Sequence, residues 1–509
     1  MRRLTFLGVG LAVAAATLAL AHSGAGAASG RIVADSGFRP KVNGFSFENY
    51  GSGKADLSAN ELRLLFGSRV CMFVKKSGAC VLTPPGQVWL KKQNRQLNGG
   101  HCTGMAVLSL LVFRNQFPPF GSRTYKLRLR GNVRLQRAIA YASTWQVLPS
   151  VIDETVGGTP DEIVQKLISA LQQPGGETYS LVLYKPRYRG GHEIAPYAVE
   201  DRGRGRYDVL VYDNNWPGAT RRLHINTRNN TWSYKFEPGN VYRGNAGTKT
   251  LFLSPTVPGL GVHECPFCSS PVTDETGFNE LRLEGNPVNH AHLLITDDEG
   301  RRIGYLGSRF VSEIPGASAV RPRTAMGTAM GGAREEPEPV YRIPAQLNMT
   351  VTIDGRSLRV ADTEYLSMIG PGRDAAIDNL RIRPGDVSSF EVSGAVGRFA
   401  YRSAPGQTES PLFHIGLVGD GKGYRIGVRE LSLTAGSLIT SQNDQTRGTL
   451  TFHDAGAQSG TFEVTLVHYA QGKVRTLQTR KIQLAADQTA VVDYGSIRPG
   501  QTTIPITIS

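Results

Sequence analysis

At 509 residues, with 40% hydrophobic and 19% charged side chains, the chain is too long for one ordinary core and too apolar to be disordered. Two to four globular domains are expected. The formal net charge of +15 includes Arg2 and Arg3. The remaining excess clusters at Lys91, Lys92 and Arg95, at Arg123, Lys126, Arg128 and Arg130, and at Arg202, Arg204 and Arg206. No base-stacking aromatics are interleaved in a recognised nucleic-acid motif, so a nucleic-acid partner is not expected. A basic, solvated face suited to an anionic cell-wall or surface polymer is expected instead.

The chain opens with Arg2 and Arg3, an apolar run from Leu4 to Leu20, and Ala25-Gly26-Ala27. These are the charged start, apolar centre and A-x-A site of an export signal, which places residues 1–27 outside the mature protein. No later run approaches the roughly 18 apolar residues a spanning helix needs. The mature chain is expected to be secreted or held at the cell surface, with no transmembrane segment.

Five cysteines follow, Cys71, Cys80, Cys102, Cys265 and Cys268. In an oxidising compartment the near neighbours pair, Cys71 with Cys80 and Cys265 with Cys268, and Cys102 is left over. The Cys265-Pro266-Phe267-Cys268 motif lacks the second C-x-x-C of a four-thiolate zinc site and sits outside a βαβ pattern, so a local disulfide is expected rather than a redox or metal site. His263, two residues ahead of it, adds only a weak partial ligand set.

Residues 28–255 read as an α+β domain. TGMAVLSLLVFR, residues 103–114, is an apolar stretch between Gly99-Gly100 and Pro118-Pro119, and is expected to be a buried helix with Cys102 at its start. A second helix is expected over Val133 to Leu148. A third begins at Thr159-Pro160-Asp161-Glu162, where Thr159 caps and Pro160 suits the first turn. From Tyr179 the period becomes that of strands: SLVLY, EIAPYAV, YDVLVYD and TRRLHINT, parted by Gly, Pro and Asn, describe an antiparallel sheet. Ser254 to Gly259 reads as a linker.

Beyond residue 255 the pattern is all-β and sandwich-like. Residues 256–435 are expected to form one domain with a mobile Gly- and Ala-rich loop near 316–335, and residues 436–509 a small β domain or its continuation. Two glycosylation-like patterns, at Asn229 and Asn348, are too common to use.

The chemistry gathers in the first domain. A helix start supplies partial positive charge and exposed N–H groups that stabilise a thiolate, and Cys102 stands at such a start behind Asn98-Gly99-Gly100-His101. A cysteine nucleophile also needs a base and a group to orient that base. His192, in Gly190-Gly191-His192, opens one strand, and the next ends in Asp213-Asn214-Asn215-Trp216. Antiparallel pairing brings the start of one beside the end of the other. His101 is expected to be structural or surface-facing.

Gly-x-Cys at a helix start, Gly-His opening a strand and a polar Asp/Asn turn after the next strand together resemble papain-like cysteine peptidases, nearest to those that process double-glycine leader peptides. The resemblance covers about residues 85–225 and lacks the Cys-Gly-Ser-Cys-Trp signature. It implies Cys102 as nucleophile, His192 as general base and acid, and Gln96, six residues before Cys102, at the oxyanion hole, with Asn98 as the alternative. Strand counting selects Asp213 as the orienting group, whereas Trp216 two residues after Asn214 favours Asn214. The expected activity is that of a secreted thiol hydrolase acting on a peptide or protein, with no cofactor and no metal. The alternative is a non-catalytic surface or adhesion protein with a relic papain-like domain and partner-binding β domains.

Overall fold

The computed structural model describes residues 30–509 except 52–54, 269–276, 287, 322–337, 395–397, 406–410, 420, 430–437, 445, 456–459, 479–480 and 499–500. The expected export signal and most of the loop expected near 316–335 lie outside these. The part of that loop inside them is ordered: Ser318–Val320 is a strand paired with Val340–Pro344.

Helices come first and antiparallel sheet follows. β1 is Arg31–Asp35, and the short helix α1, Pro40–Asn43, leads to α2, Ala59–Phe66, whose start is fixed by a capping box between Ser58 and Glu61. The hairpin β2, Cys71–Val74, and β3, Cys80–Leu82, carries the disulfide Cys71–Cys80. α3, Pro84–Leu97, starts where the Thr83 side chain accepts the Gly86 N–H and two prolines fill the first turn. α4 is Cys102–Phe113, α5 Val133–Ser143, α6 Pro149–Asp153 and α7 Pro160–Gln172. The helix expected over Val133 to Leu148 ends at Ser143 and tightens into a 3-10 turn, Thr144–Val147. Thr159 and Glu162 complete a capping box on α7.

α4 is apolar on every side, and Cys102 through Leu111 are all buried. One side meets α5 so closely that Gly104 lies against the Ile139 carbonyl. On another, Ala106 and Leu110 pack on Ala195, Tyr197 and Ala198 of the sheet. Burial of a leucine such as Leu110 contributes on the order of 1.5–3 kcal/mol by leaving water.

The sheet is formed by β4 (Val156–Gly157), β5 (Tyr179–Lys185), β6 (Arg189–Asp201), β7 (Arg206–Tyr212), β8 (Thr220–Asn226), β9 (Thr231–Glu237), β10 (Asn240–Asn245) and β11 (Leu251–Pro255). Its order is β10-β9-β8-β7-β6-β5-β11-β4, with β1 also paired to β6, and every pairing is antiparallel. In the β6–β7 pair Ala195 faces Tyr212, so the first residues of β6 lie beside the turn that follows β7.

The segment expected to link this unit to the rest is packed rather than loose. Ser254 and Pro255 pair with Ser180 and Tyr179, Thr256 is buried, and Gly259 lies against the Trp145 ring. Cys265 and Cys268 form the second disulfide, while His263 faces Gly259 O and Ser150 Oγ.

From Phe278 the chain alternates between two antiparallel sheets, one to three strands at a time, and leucines, isoleucines and valines from both meet in one core running from Leu281 to Ile504. Residues 438–508 add strands to both sheets and side chains to that same core.

α3 lies on one of these sheets, and this corrects the expectation for its basic cluster. Lys92 is buried against Glu280, Arg95 pairs with Glu284 at 3.2 Å and Lys91 with Asp378 at 3.4 Å. All three join two parts of the chain, with Lys92 buried, Arg95 half-buried and Lys91 still exposed. Arg202 pairs with Glu200 and Asp208 but stays exposed, as do Arg204 and Arg206. Arg123, Lys126, Arg128 and Arg130 are exposed as expected.

Candidate active site

The chain reaches α4 through Gly100, at φ +135°, a conformation that side-chain-bearing residues rarely adopt, which accounts for glycine just ahead of the helix. Cys102 is the first residue of α4. Met105 is the first to donate back to the chain ahead, to His101 O, so Cys102, Thr103 and Gly104 form the opening turn, whose N–H groups point toward the N-terminal end of the helix. Cys102 lies outside both disulfides and is buried.

His192 stands at the start of β6, where the sheet brings it beside the turn after β7. Its Nε2 is 3.0 Å from Asp213 Oδ1. An ionised carboxylate only accepts, so Nε2 carries a proton and Nδ1 is the nitrogen left for proton exchange. Nδ1 is buried, and the Cys102 side chain acts on the ring both by hydrogen bonding and by charge. Burial pushes the imidazole toward neutrality, but Asp213 and Cys102 outweigh it and raise its pKa to about 10. The Phe236 ring stands edge-on to the imidazole at 5.3 Å.

Asp213 is fully buried. Burial pushes its pKa up, but His192, the Tyr234 hydroxyl and the Asn215 N–H hold the carboxyl below its ordinary range. Tyr234 donates to Oδ2, and Asn215 N donates to Oδ1 at 2.9 Å. Asp213 is therefore a carboxylate satisfied on both oxygens, next to a base that it keeps charged.

The residue after each of these three serves to hold them together. Thr103 Oγ1 donates to Glu193 Oε2 at 2.6 Å, and Ser180 Oγ donates to Glu193 Oε1. Asn214 Nδ2 donates to both Cys102 O and Glu193 O at 3.0 Å. The start of α4, the start of β6 and the turn after β7 are thereby tied at one point. Of the two candidates for the orienting group, Asp213 contacts the imidazole and Asn214 binds backbone.

Gln96 is buried at the end of α3, with Oε1 accepting from Arg282 Nη1 at 2.8 Å, which leaves its amide N–H groups as the donor end. Asn98, the alternative, is exposed. His101 is structural: its ring stacks on Tyr50 at 4.1 Å, with Nδ1 2.7 Å from Tyr50 O and Nε2 3.1 Å from Asp56. The chain from Phe45 to Tyr50 runs along the site. Asn49 accepts the His101 N–H through its side chain and donates its own N–H to Asn214 O.

Sequence reasoning missed Thr103, Glu193 and Tyr234. Thr103 and Glu193 each follow a singled-out residue, which was the signal to look for; Tyr234, two strands away, gave none. No protein-family model, curated protein or solved structure matches this chain.

Proposed function

We propose that residues 28–255 are a papain-like thiol hydrolase, with a peptide or protein amide as substrate, working outside the cytoplasm. The observation that carries this is the buried line from Cys102 at a helix start through His192 to the carboxylate of Asp213. A helix bearing the cysteine and packed on an antiparallel sheet bearing the histidine supports the fold assignment. The two disulfides support an oxidising compartment. Among the described residues no helix is long and apolar enough to cross a membrane.

In this mechanism the Cys102 thiolate attacks the amide carbon, and the carbonyl electrons move onto oxygen. The N–H groups at the start of α4 and the Gln96 amide are the donors for that oxyanion. His192 gives a proton from Nδ1 to the departing amine, the C–N bond breaks and a thioester remains. Water, losing its proton to His192, then attacks the thioester and releases the acid and the thiolate. Asp213 keeps the imidazole oriented and stabilises its charged form throughout.

One observation favours the second reading, a non-catalytic surface protein with a relic site: Cys102, His192 and Asp213 are all 0% exposed. Substrate must displace something to reach them, and Asn49 is the neighbour that touches both flanks of the site, at His101 N and at Asn214 O. Incubating the full mature chain with a proteome-derived peptide mixture and mapping new N-termini by mass spectrometry separates the readings. Cleavage is expected, lost in Cys102→Ser and in His192→Ala. Cleavage that survives Cys102→Ser, or none by the native chain, turns the assignment to the relic.

A further inference from the structure

A second polar cluster lies between the two C-terminal sheets, away from the thiol. His292 opens the strand His292–Asp297 of one sheet, and His290 precedes it by two residues. Glu338 stands just ahead of the strand Val340–Pro344 of the other sheet, and Glu364 lies on Asp362–Gly370 of that same sheet. One ligand atom each from His290, His292 and Glu338 falls within 4.8 Å of the others. Glu338 Oε2 is 2.9 Å from His292 Nδ1 and 3.8 Å from His290 Nδ1. Two ligands of a tetrahedral Zn²⁺, each about 2.1 Å from the metal, lie about 3.4 Å apart, between those two distances.

The other atoms of the cluster are anchored as a ligand shell requires. Glu338 Oε1 accepts from Leu293 N at 2.9 Å and from Tyr341 Oη at 2.6 Å, which turns Oε2 toward the imidazoles. Tyr305 stacks on His292 at 4.2 Å and fixes its ring plane, as outer contacts of a liganding histidine do, while His290 Nδ1, also 2.7 Å from Ala291 O, would have to turn from that carbonyl to the ion.

The fourth group is the independent sign. Glu364 is 1% exposed; its Oε1 accepts from Ala291 N at 2.6 Å, while Oε2 is buried with no hydrogen-bond partner. Ala291 lies between the two histidines in the chain, so the hydrogen bond from its N–H holds the Glu364 carboxylate beside them. A buried carboxylate oxygen left without a partner is costly, and a cation is one thing that satisfies it. Two carboxylates offset a dication, and two imidazoles favour zinc or a similar transition metal over calcium or magnesium.

We propose that His290, His292 and Glu338, with Glu364 as the fourth group, bind one Zn²⁺-class ion that clamps the two sheets together at this edge. The site is independent of the hydrolase assignment and stands or falls without it.

The test uses tag-free full mature chain, dialysed against excess ZnCl₂ and then against metal-free buffer, with zinc counted by plasma mass spectrometry. One zinc per chain is expected. Glu364→Gln, which keeps an acceptor for Ala291 N, and His292→Ala should each weaken retention at least tenfold, with far-UV circular dichroism unchanged. Zinc should also raise the native chain's unfolding temperature but not that of Glu364→Gln, since a ligand bound only to the folded state stabilises it. That comparison holds even if His292→Ala fails to fold. No zinc on the native chain, or equal retention by native chain and Glu364→Gln, overturns the proposal.

Discussion

Gly104→Ala asks whether close packing of α4 on α5 sets the position of Cys102. A Cβ at Gly104 would stand 2.0 Å from Ile139 O and 2.2 Å from Ser143 Oγ. Ser143 can rotate, but the Ile139 carbonyl is helix backbone and cannot. Ordinary contact needs about 3.4 Å, so the helices must part by about 1.4 Å, while the far side of α4 is already filled by Ala195, Tyr197 and Ala198. Overpacking of this kind costs about 1–3 kcal/mol, and a clash with backbone belongs at the upper end. For a unit of this size that lowers the unfolding temperature by roughly 6–12 °C. All four tryptophans, Trp89, Trp145, Trp216 and Trp232, lie before residue 260, so tryptophan fluorescence reports this half of the chain alone. Gly419→Ala, where an added Cβ meets nothing within 4 Å, is the control and should leave the transition unmoved. Equal transitions for Gly104→Ala and the native chain would refute the reasoning.

Tyr234→Phe removes a hydrogen bond to a buried carboxylate. It should cost about 1.5–3 kcal/mol by urea unfolding followed through tryptophan fluorescence, and an unchanged midpoint would show that Asp213 does not depend on it. The His192–Asp213 pair also sets a pH window. His192 is raised in the folded chain, so its contribution is complete below pH 6.5 and is lost as pH rises through about 10. Asp213 is depressed, so its contribution is complete above the ordinary value of 3.8 and is lost as pH falls through the lower folded value. The unfolding free energy from urea titration should therefore drop between pH 6.5 and 10 by on the order of a few kcal/mol, and less so in Asp213→Asn; the same drop in both would contradict the pairing. At the α3 contact, Lys92→Met should be destabilising by about 3–5 kcal/mol because it strands Glu280, whereas Lys92→Met with Glu280→Leu should be near neutral. Equal thermal shifts for the single and double variants would remove the ion pair as the cause.

Short-range signals carried most of what the sequence revealed. Gly-Gly ahead of Cys102, Gly-Gly ahead of His192 and the Asp/Asn turn after Tyr212 are local marks of a helix start, a strand start and a strand end, and antiparallel register does the rest. Cysteine pairing was equally local. What failed depended on partners far along the chain. Lys91, Lys92 and Arg95 look like a solvated face until Asp378, Glu280 and Glu284 arrive from the later sheets, and α3 escaped notice because its buried side includes Lys92, Gln93 and Gln96. Arg282 on Gln96 and Tyr234 on Asp213 are likewise remote. The cluster of His290, His292, Glu338 and Glu364 has no metal-motif spacing, because its members come from two different sheets.

The most direct test of the central claim is the rate of Cys102 alkylation by iodoacetamide from pH 5 to 9, in the native chain and in His192→Ala. The other four cysteines are locked in disulfides, so the label reports one thiol. If Cys102 and His192 form a reactive pair, the native rate stays nearly level down to about pH 6, whereas in His192→Ala it falls about tenfold per pH unit below the ordinary thiol value of about 8.5. Identical profiles in the two proteins would mean that the pair does not exist as a chemical unit, and the thiol hydrolase assignment would fall with it.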